Sequence, residues 1–260
     1  MALGVISGSG LYDFDLLAGS VREEVKTPYG EALIYRATVG GQDICFLPRH
    51  GKQHSVLPHM INYRANICAL KQAGVNEIMA FCCVGSLTRD LPPGSLVMLD
   101  QFIDFTYGRE HTVAAPGLVA HTDMTHPYCP RLSKRVLELG REAGLKIAEG
   151  GVYVCTQGPR FETPAEIKAF TLLGGTVVGM TGVPEAQLAR EAGICYASLA
   201  MIANFAAGMQ EAISGDEVNV FVNANKQNIE LLLRQLIEKG LGQRDCGCSA
   251  STIKACQLWK

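Results

Sequence analysis

Residues 152–207 decide the fold, and they read VYVCTQGPRFETPAEIKAFTLLGGTVVGMTGVPEAQLAREAGICYASLAMIANFAA. This stretch holds three apolar runs, at residues 152–157, 174–179 and 194–203, and a polar or distinctively shaped residue follows each run. The first run breaks at a Gly-Pro pair, just before a segment that can start a helix. Because a strand end beside a helix start presents side chains and free backbone N–H groups to one crevice, we expect binding chemistry there. We therefore predict three neighbouring strands that open into one pocket.

The predicted pocket combines five side chains of different chemistry. They are a carboxylate, a carboxamide, an aromatic ring, a thioether and a hydroxyl, from Glu162, Asn204, Phe161, Met180 and Thr181. A carboxylate only accepts hydrogen bonds, whereas a carboxamide both donates and accepts them. The pair therefore matches a planar heterocycle with an N–H on one edge and an acceptor on the other. Taken singly, Glu162 also fits a solvent-facing acid in a first helical turn, and Asn204 also fits a turn residue.

Composition excludes several classes of protein. The chain has 260 residues, of which 48% are hydrophobic and 18% charged, which is typical of a well-packed enzyme. A net charge of −2 argues against a general binder of nucleic acid or of anionic membranes. The first residues, MALGVISGSGLYDF, lack the basic and continuous apolar regions of a signal peptide, and no apolar run is long enough to span a bilayer. We expect a cytoplasmic protein.

Strands and helices alternate along the chain, which predicts an α/β fold. Besides the three apolar runs, strands are predicted at residues 33–39, 43–47, 77–84 and 95–104, and helices at residues 62–73, 131–144, 185–192 and 217–239. Residues 111–130 are predicted to form a long polar loop, and such loops are usually functional or part of subunit contacts. Since no linker interrupts the pattern, we expect a single domain over residues 1–260, with a cysteine-containing tail at residues 241–260.

Two loops carry hydrogen-bond donors suited to an anion. The Gly-Ser-Gly turn after the first apolar segment exposes backbone N–H groups and the hydroxyl of Ser9. A later strand ends directly before Arg49 and His50, and the planar guanidinium suits phosphate oxygens. A solvated run of charges is the alternative. Metal binding by His50, His54 and His59 is a third interpretation, but the set has no carboxylate, and a proline between the last two residues interrupts any helix that would place them together.

The chain contains ten cysteines. Those inside apolar runs are expected to pack in the core as small hydrophobic residues: Cys45, Cys68, Cys82, Cys83, Cys155 and Cys195. In the tail, Cys246, Cys248 and Cys256 lie in a polar segment, where metal binding, a disulfide and solvent exposure are all open. The C-x-C pair lacks the usual C-x-x-C spacing and has no histidine nearby, so we expect no zinc site there. Disulfides become the better interpretation if the source is a hyperthermophile.

Seven motifs, in the same order, resemble the trimeric purine nucleoside and methylthioadenosine phosphorylases. They are ISGSGLYDF, FLPRHGKQHSVLPHMINYRAN, VGSL, DQFIDFT, GPRFETPAE, GMTGVPEAQLARE and CYASLAMIAN, and the resemblance extends from Gly4 to about Leu236. It implies a central, twisted, mixed β-sheet flanked by helices. It also implies a homotrimer, or a dimer of trimers, in which each active site lies near a subunit interface.

The resemblance also assigns roles to individual residues. It places phosphate at Ser9, Arg49, His50, Cys82, Cys83 and Thr181, with Cys83 acting through its backbone N–H. The ribose lies against Met180, and the base contacts Phe161, Glu162, Asn204, Phe205 and Ala206. His121 from a neighbouring subunit is expected to close the 5′ end of the nucleoside, with His54 as a second candidate.

The base-pocket residues separate two activities within that family. Related methylthioadenosine phosphorylases place a serine at position 162 and aspartates at positions 204 and 206, whereas this chain has Glu162, Asn204 and Ala206. The resemblance therefore implies a pentosyltransferase that splits 6-oxopurine nucleosides such as inosine and guanosine with phosphate, giving free base and ribose 1-phosphate. The catalytic residues would be Asn204, Glu162, Arg49 and His50, without a metal or cofactor.

Three alternatives remain open from the sequence. The first is a phosphorylase for S-methyl-5′-thioinosine or 5′-methylthioadenosine, because the 5′ end of the pocket aligns poorly with the family. The second is a nucleoside hydrolase, although the acidic calcium-binding cluster expected of that class is not found in the sequence. The third is a purine-binding protein without catalytic activity, which would not need the Arg49-His50 loop.

Overall fold

The computed structural model describes residues 2–8, 18–51, 55–115 and 117–254. Its strands are β1 Ala2–Ser7, β2 Val21–Thr27, β3 Gly30–Val39, β4 Gln42–Pro48, β5 Val75–Ser86, β6 Leu96–Asp104, β7 Ala120–Thr122, β8 Ile147–Cys155, β9 Val177–Gly179, β10 Cys195–Phe205 and β11 Thr252–Lys254. Its α-helices are α1 Tyr63–Gln72, α2 Pro130–Glu142, α3 Pro164–Leu172, α4 Gly182–Glu191 and α5 Gly215–Lys239. This order confirms the predicted α/β class.

Nine of the strands form one mixed sheet in the order β10-β6-β8-β9-β5-β1-β4-β3-β2. Strand β10 also pairs in parallel with β5, so that β5, β10, β6, β8 and β9 close into a ring. The predicted mixed sheet is confirmed. The first two apolar runs do form adjacent strands, β8 and β9, but β5 lies between β9 and β10. Periodicity could not show this insertion, because pairing between distant strands leaves no local signal.

An interior strand and the edge strand of the sheet differ in burial. All six residues of β1 are buried, which fits its continuous apolar sequence and its position between two parallel partners. Strand β2, with the sequence VREEVKT, pairs with β3 alone among the described strands and consists of exposed and half-buried residues. Charged side chains on such an edge discourage pairing with another chain. The interior of the sheet is therefore buried, and its charged edge at β2 faces solvent.

Helices cover the sheet through three clusters of buried residues, of which the smallest contains Ile167 and Phe170 of α3. The two larger clusters hold the other helices. One cluster contains Ile67 and Leu70 of α1 together with Leu188 of α4, and the other contains Val136 of α2 together with Leu232 of α5. Burying one such side chain contributes about 1.5–3 kcal/mol relative to leaving it exposed. Among the described residues, no helix is long and apolar enough to cross a membrane.

Local signals set several helix ends. The Asn62 side chain accepts a hydrogen bond from the backbone N–H of Ala65 and caps α1, and Gly74 follows the helix with a φ of +83°. The predicted helix at residues 62–73 is therefore confirmed almost to its ends. The loop predicted at residues 111–130 contains the short strand β7, which pairs antiparallel with β11 of the tail. A three-residue strand held by a partner 130 positions away has no local sequence signature.

Candidate active site

A cavity of about 310 Å³ opens where β4, β5, β9 and β10 end and where β8 leads into α3. Its lining includes most of the residues predicted for the pocket: Arg49, His50, Cys82, Cys83, Phe161, Glu162, Met180, Thr181, Asn204 and Ala206. The structure thus brings together the ends of five strands or strand-helix turns. Ser9 and His54, predicted for phosphate and for the 5′ end, lie outside the described residues.

Glu162 reaches the cavity because α3 begins immediately after it. Thr163 caps that helix: its hydroxyl accepts from the backbone N–H of Glu166, and the Glu166 carboxylate accepts from the backbone N–H of Thr163. Glu162 is only 8% exposed, and its Oε1 accepts a hydrogen bond of 2.7 Å from the Thr156 hydroxyl. Its other oxygen has no partner in the part of the chain that the structure describes, so it can accept from a ligand.

Asn204 stands near the end of β10 and is 5% exposed. Its Nδ2 donates to the backbone carbonyl of Phe205 at 2.8 Å, which identifies this atom as the amide nitrogen because a carbonyl only accepts. One N–H and the side-chain oxygen remain for a ligand. Glu162 and Asn204 therefore present an acceptor and a donor to the same cavity, as the sequence predicted.

The aromatic residues are placed differently from the expectation. Phe161 lines the cavity at its mouth and is 54% exposed, which leaves its ring free to cover a bound base. Phe205, also predicted to contact the base, does not line the cavity, and its ring packs against the Arg89 guanidinium at 4.5 Å. The expectation for Phe205 is therefore corrected. The Asn204 side chain lines the cavity, whereas the Phe205 ring lies against Arg89.

Arg49 is held by a partner that the sequence did not reveal. Its Nε and Nη2 donate to the two carboxylate oxygens of Glu185 at 2.9 and 2.7 Å, and its Nη1 donates to the carbonyl of Phe81 at 2.6 Å. Both charged side chains are 1% exposed. Burial alone would lower the pKa of Arg49, but the Glu185 carboxylate outweighs it, and the pKa lies well above its ordinary value.

This ion pair fixes the direction of the guanidinium. Tyr196 donates from its hydroxyl to Glu185 at 2.7 Å, which completes a buried network. A guanidinium has five N–H groups, so the three bonds to Glu185 and Phe81 leave two for a ligand. Because Glu185 neutralises its charge, Arg49 can offer directed donors but no net positive charge. A Cβ added to Gly8 would lie 2.9 Å from Nη1, so a larger residue there would force the guanidinium to move.

The His50 ring has a defined tautomer. Its Nδ1 lies 2.8 Å from the carbonyl oxygen of Val56, and because that oxygen only accepts, Nδ1 carries a proton. The remaining nitrogen, Nε2, accepts when the ring is neutral and donates when it is protonated. His50 is 5% exposed and lines the same cavity as Arg49. The pair can therefore hold a phosphate group: Arg49 donates to its oxygens, and Nε2 of His50 accepts from a phosphate hydroxyl when neutral or donates to an oxygen when protonated.

The two cysteines of the cavity wall remain thiols. Burial raises the pKa of Cys82 to about 11 and that of Cys83 to about 12. Since the thiolate is the reactive form, neither side chain is a nucleophile near neutral pH. Their place in the wall agrees with the predicted lining, and the contact of phosphate with the backbone N–H of Cys83 stays a prediction.

Tyr153 is a second residue that sequence reasoning missed. Its hydroxyl oxygen accepts from the backbone N–H groups of Thr181 and Gly182 at 3.1 and 3.2 Å. The Tyr153 hydroxyl therefore satisfies both N–H groups at the start of α4. Thr181 precedes α4 without capping it, and its side chain lines the cavity instead. Cβ atoms added to Gly179 and Gly182 would lie 2.4 and 2.8 Å from Tyr153, which explains both glycines in the sequence GMTG.

Replacing Tyr153 with phenylalanine is expected to lower the free energy of unfolding by about 2 kcal/mol or more, because two buried N–H groups lose their acceptor. Tyr128→Phe is the matched control. Tyr128 is equally buried, but its hydroxyl has no hydrogen-bond partner among the described residues, so its removal should be near neutral. Urea unfolding of both variants checks the prediction, and equal midpoints would contradict it.

Arg109 holds the segment after β6 against the site. Its guanidinium donates to the carbonyl of Val183 at 2.6 Å and to that of Gln157 at 2.9 Å, and it stacks over Tyr63. His121 lies farther along this segment on β7, is exposed, and does not line the cavity of its own chain. Its predicted contact with a neighbouring subunit stays a prediction.

Comparison with known proteins agrees with this geometry. The family model of the phosphorylase superfamily matches residues 2–238. The chain is 47% identical to the 6-oxopurine nucleoside phosphorylase of Pyrococcus furiosus, over 95% of this chain and 96% of that protein. It is 39% identical to the S-methyl-5′-thioadenosine phosphorylase of Thermofilum pendens, over 97% of both chains. A methylthioadenosine phosphorylase from an antarctic soil metagenomic library has a similar structure, with a TM-score of 0.87 and 34% identity, over 96% of this chain and 90% of that one.

Proposed function

Because the chain belongs to the phosphorylase superfamily, we propose that it catalyses the reversible phosphorolysis of 6-oxopurine nucleosides to free base and ribose 1-phosphate. The observation that carries the proposal is the pairing of a free Glu162 oxygen with a free Asn204 N–H in one cavity. The name of the Pyrococcus furiosus relative, at 47% identity, supports the same assignment.

The pair distinguishes 6-oxopurines from 6-aminopurines by hydrogen-bond polarity. A 6-oxopurine carries an N–H at N1, which donates to Glu162, and acceptors at O6 and N7, which take the Asn204 N–H. A 6-aminopurine reverses the polarity at N1 and at the exocyclic group, so buried groups would remain unmatched. Each unmatched group costs about 1–3 kcal/mol, which corresponds to roughly tenfold to hundredfold discrimination. Adenosine should therefore be a poor substrate.

The opposite part of the cavity suits phosphate and sugar. The two remaining N–H groups of Arg49, together with His50, hold phosphate below the ribose, and Met180 packs against the sugar. As the glycosidic bond lengthens, the sugar gains positive charge beside the phosphate, and Asn204 stabilises negative charge at N7 of the leaving base. Catalysis of this kind depends on position and electrostatics. The proposed reaction uses inorganic phosphate as co-substrate and needs no metal or organic cofactor.

The test is base release from inosine, guanosine and adenosine, with and without phosphate. We expect hypoxanthine release only when phosphate is present, with stoichiometric ribose 1-phosphate and a kcat/KM for inosine at least tenfold above that for adenosine. Release of hypoxanthine without phosphate would identify a hydrolase. Binding of hypoxanthine without turnover of any nucleoside would identify a purine-binding protein.

The 5′ substituent has a second candidate. Leu57, Pro58 and Ile213 line the cavity with apolar groups, which could receive a methylthio group. The Thermofilum pendens relative is named for such a substrate. Comparing kcat/KM for inosine and 5′-methylthioinosine decides between the two, and a higher value for the methylthio compound would assign the alternative.

A cytoplasmic homotrimer is part of the proposal. Large apolar side chains are exposed after β6, before β7 and at the end of α3: Phe105, Tyr107, Leu118, Val119, Leu172 and Leu173. The ring of Phe105 packs on Phe170 of α3 at 4.8 Å, so two of these segments are adjacent. Clusters of this kind usually mark contacts with another chain. Such a contact would bring the neighbouring β7, with His121, towards an active site of another subunit.

Light scattering after gel filtration should therefore give a mass three times that of the 28.0 kDa chain, or six times for a dimer of trimers. We expect Leu172→Glu to shift the protein to a smaller species, because a charge would be buried at the contact. Val21→Glu, on the exposed edge strand β2, is the matched control and should leave the mass unchanged. A monomeric wild-type protein would contradict this part of the proposal.

A further inference from the structure

Four cysteine side chains that do not line the cavity lie close together in the structure. The Sγ atoms of Cys129, Cys195, Cys246 and Cys248 all lie within 4.8 Å of one another, and none of the four forms a disulfide. Cys129 immediately precedes α2 and Cys195 begins β10, whereas the other two flank Gly247 at the start of a short 3-10 helix in the tail. Three distant segments of the chain thus supply one cluster of thiols, which we call the tetracysteine cluster.

The spacing of the sulfurs fits one central ion. In a tetrahedral zinc site each Zn–S bond is about 2.3 Å, which puts the sulfurs roughly 3.8 Å apart. The tetracysteine cluster spans this value, from 3.3 Å between Cys195 and Cys246 to at most 4.8 Å for the widest pair. Two disulfides would instead need two pairs at about 2 Å, with a specific dihedral angle in each. Because all four sulfurs lie close to one another, they fit one shared metal ion better than two separate disulfide bonds.

The charges around the tetracysteine cluster suit thiolates. Arg244 donates from Nε to the Sγ of Cys195 at 3.2 Å, and Arg190 donates from Nη1 to the Sγ of Cys248 at 3.5 Å. Neutral thiols are weak acceptors, so two arginines aimed at sulfur indicate negative charge there. Four thiolates around one divalent cation carry a net charge of −2, which the two guanidinium groups neutralise. Cys129 also lies at the positive end of α2.

We propose that the tetracysteine cluster binds one structural zinc ion. Binding releases the four thiol protons and forms four Zn–S bonds, with no oxidation or reduction. All four positions are filled by the protein, so the ion has no open position for substrate and its role is structural. Three of the four ligands are almost fully buried, which excludes competing water from the site. The sequence argued against zinc because it showed only the C-x-C pair of the tail. The other two ligands, Cys129 and Cys195, come from distant segments of the chain.

The ion would fasten the tail to the body of the protein. Ser251 donates from its hydroxyl to the carbonyl of Arg190 at 2.9 Å, and the backbone N–H of Asp123 donates to the carbonyl of Ser251, also at 2.9 Å. From there β11 pairs with β7, the strand that carries His121. Zinc would therefore stabilise both the tail and the segment that holds His121. This role is independent of the proposed phosphorolysis, because it is measured by metal content and unfolding.

The experiment measures metal in the full-length protein, purified under reducing conditions from cells grown with added zinc. We expect about one zinc per chain by elemental analysis. After exchange with cobalt(II), the protein should show the intense visible bands and sulfur-to-metal charge transfer of a tetrahedral thiolate site. The Cys246→Ser variant should lose most of the metal. Cys68→Ser, at a half-buried cysteine of α1 outside the cluster, is the matched control and should keep it.

Two results for the metal content would overturn the proposal, and a third concerns stability. One is wild-type protein without zinc in which peptide mapping finds the four cysteines paired as disulfides. The other is wild-type protein with four free thiols that takes up neither zinc nor cobalt. If Cys246→Ser does not fold, removal of the ion from the wild type with a chelator serves instead. The melting temperature should then fall by several degrees and recover on addition of zinc, and an unchanged melting temperature would overturn the structural role.

Discussion

Replacing Arg49 with alanine is expected to lower kcat/KM for phosphate by at least about a hundredfold, since a hydrogen bond to a charged group is worth about 1.5–3 kcal/mol and two are lost. The same change leaves the Glu185 carboxylate buried without its partner, which typically costs about 3–5 kcal/mol of stability. Initial rates at varied phosphate concentration, together with urea unfolding, measure the two effects separately.

A double variant separates the loss of phosphate binding from the loss of stability. Arg49→Ala combined with Glu185→Ala removes both buried charges, so much of the stability should return while phosphate saturation stays poor. Arg49→Lys is a second control, because it keeps the charge but loses the two-pronged contact with Glu185. If a folded Arg49→Ala protein saturates with phosphate as the wild type does, Arg49 does not belong to the phosphate site.

Replacing Asn204 with aspartate is expected to lower kcat/KM for inosine by about a hundredfold or more, because the N–H that stabilises charge at N7 is lost and a carboxylate would face O6. Adenosine should lose much less, since an acceptor at position 204 suits its 6-amino group and a protonated aspartate can donate to N7. The ratio of kcat/KM values for the two nucleosides is the measurement, and we expect it to move towards adenosine.

Asn66→Asp makes the same chemical change on α1, away from the cavity, and should leave the ratio at its wild-type value. Thermal unfolding of both variants shows whether the fold is retained. An Asn204→Asp enzyme that keeps the wild-type ratio would remove this residue from base recognition. A loss of activity towards both nucleosides in equal measure would indicate a general role in turnover.

Much of the fold could be read from local pattern. The amphipathic helix at α1 has both a capping asparagine and a terminating glycine, and α3 begins with a capping box just after the Gly-Pro turn. Apolar runs located β5, β6 and β10 to within two residues. What pattern could not supply was the closure of the sheet, because the pairing of β10 with β5 joins segments more than 100 residues apart.

The site likewise contains residues that the sequence predicted and residues that it did not. Glu162 and Asn204 were found because each is a polar residue that follows or ends an apolar run, and few residue types offer the hydrogen bonds that a heterocycle needs. Glu185 and Tyr153 were missed because they act through Arg49 and through backbone N–H groups, and in sequence they look like a helical acid and a core aromatic. Phe205 was misplaced because its ring packs on Arg89, a residue more than 100 positions away, and such a contact leaves no local signal in the sequence. The tetracysteine cluster was missed because its ligands come from three separate segments.

The charged strand β2 has a consequence for assembly. The ring closed by β10 and β5 leaves β2 as the strand of the nine-stranded sheet with a single neighbour. Any continuation of the sheet into another molecule must begin at that edge, where Arg22, Glu23, Glu24 and Lys26 would have to lose water. Fibril-like stacking is thereby disfavoured even at high cellular concentration. The proposed association of subunits would instead use side-chain surfaces, which can close into a finite ring instead of growing without limit.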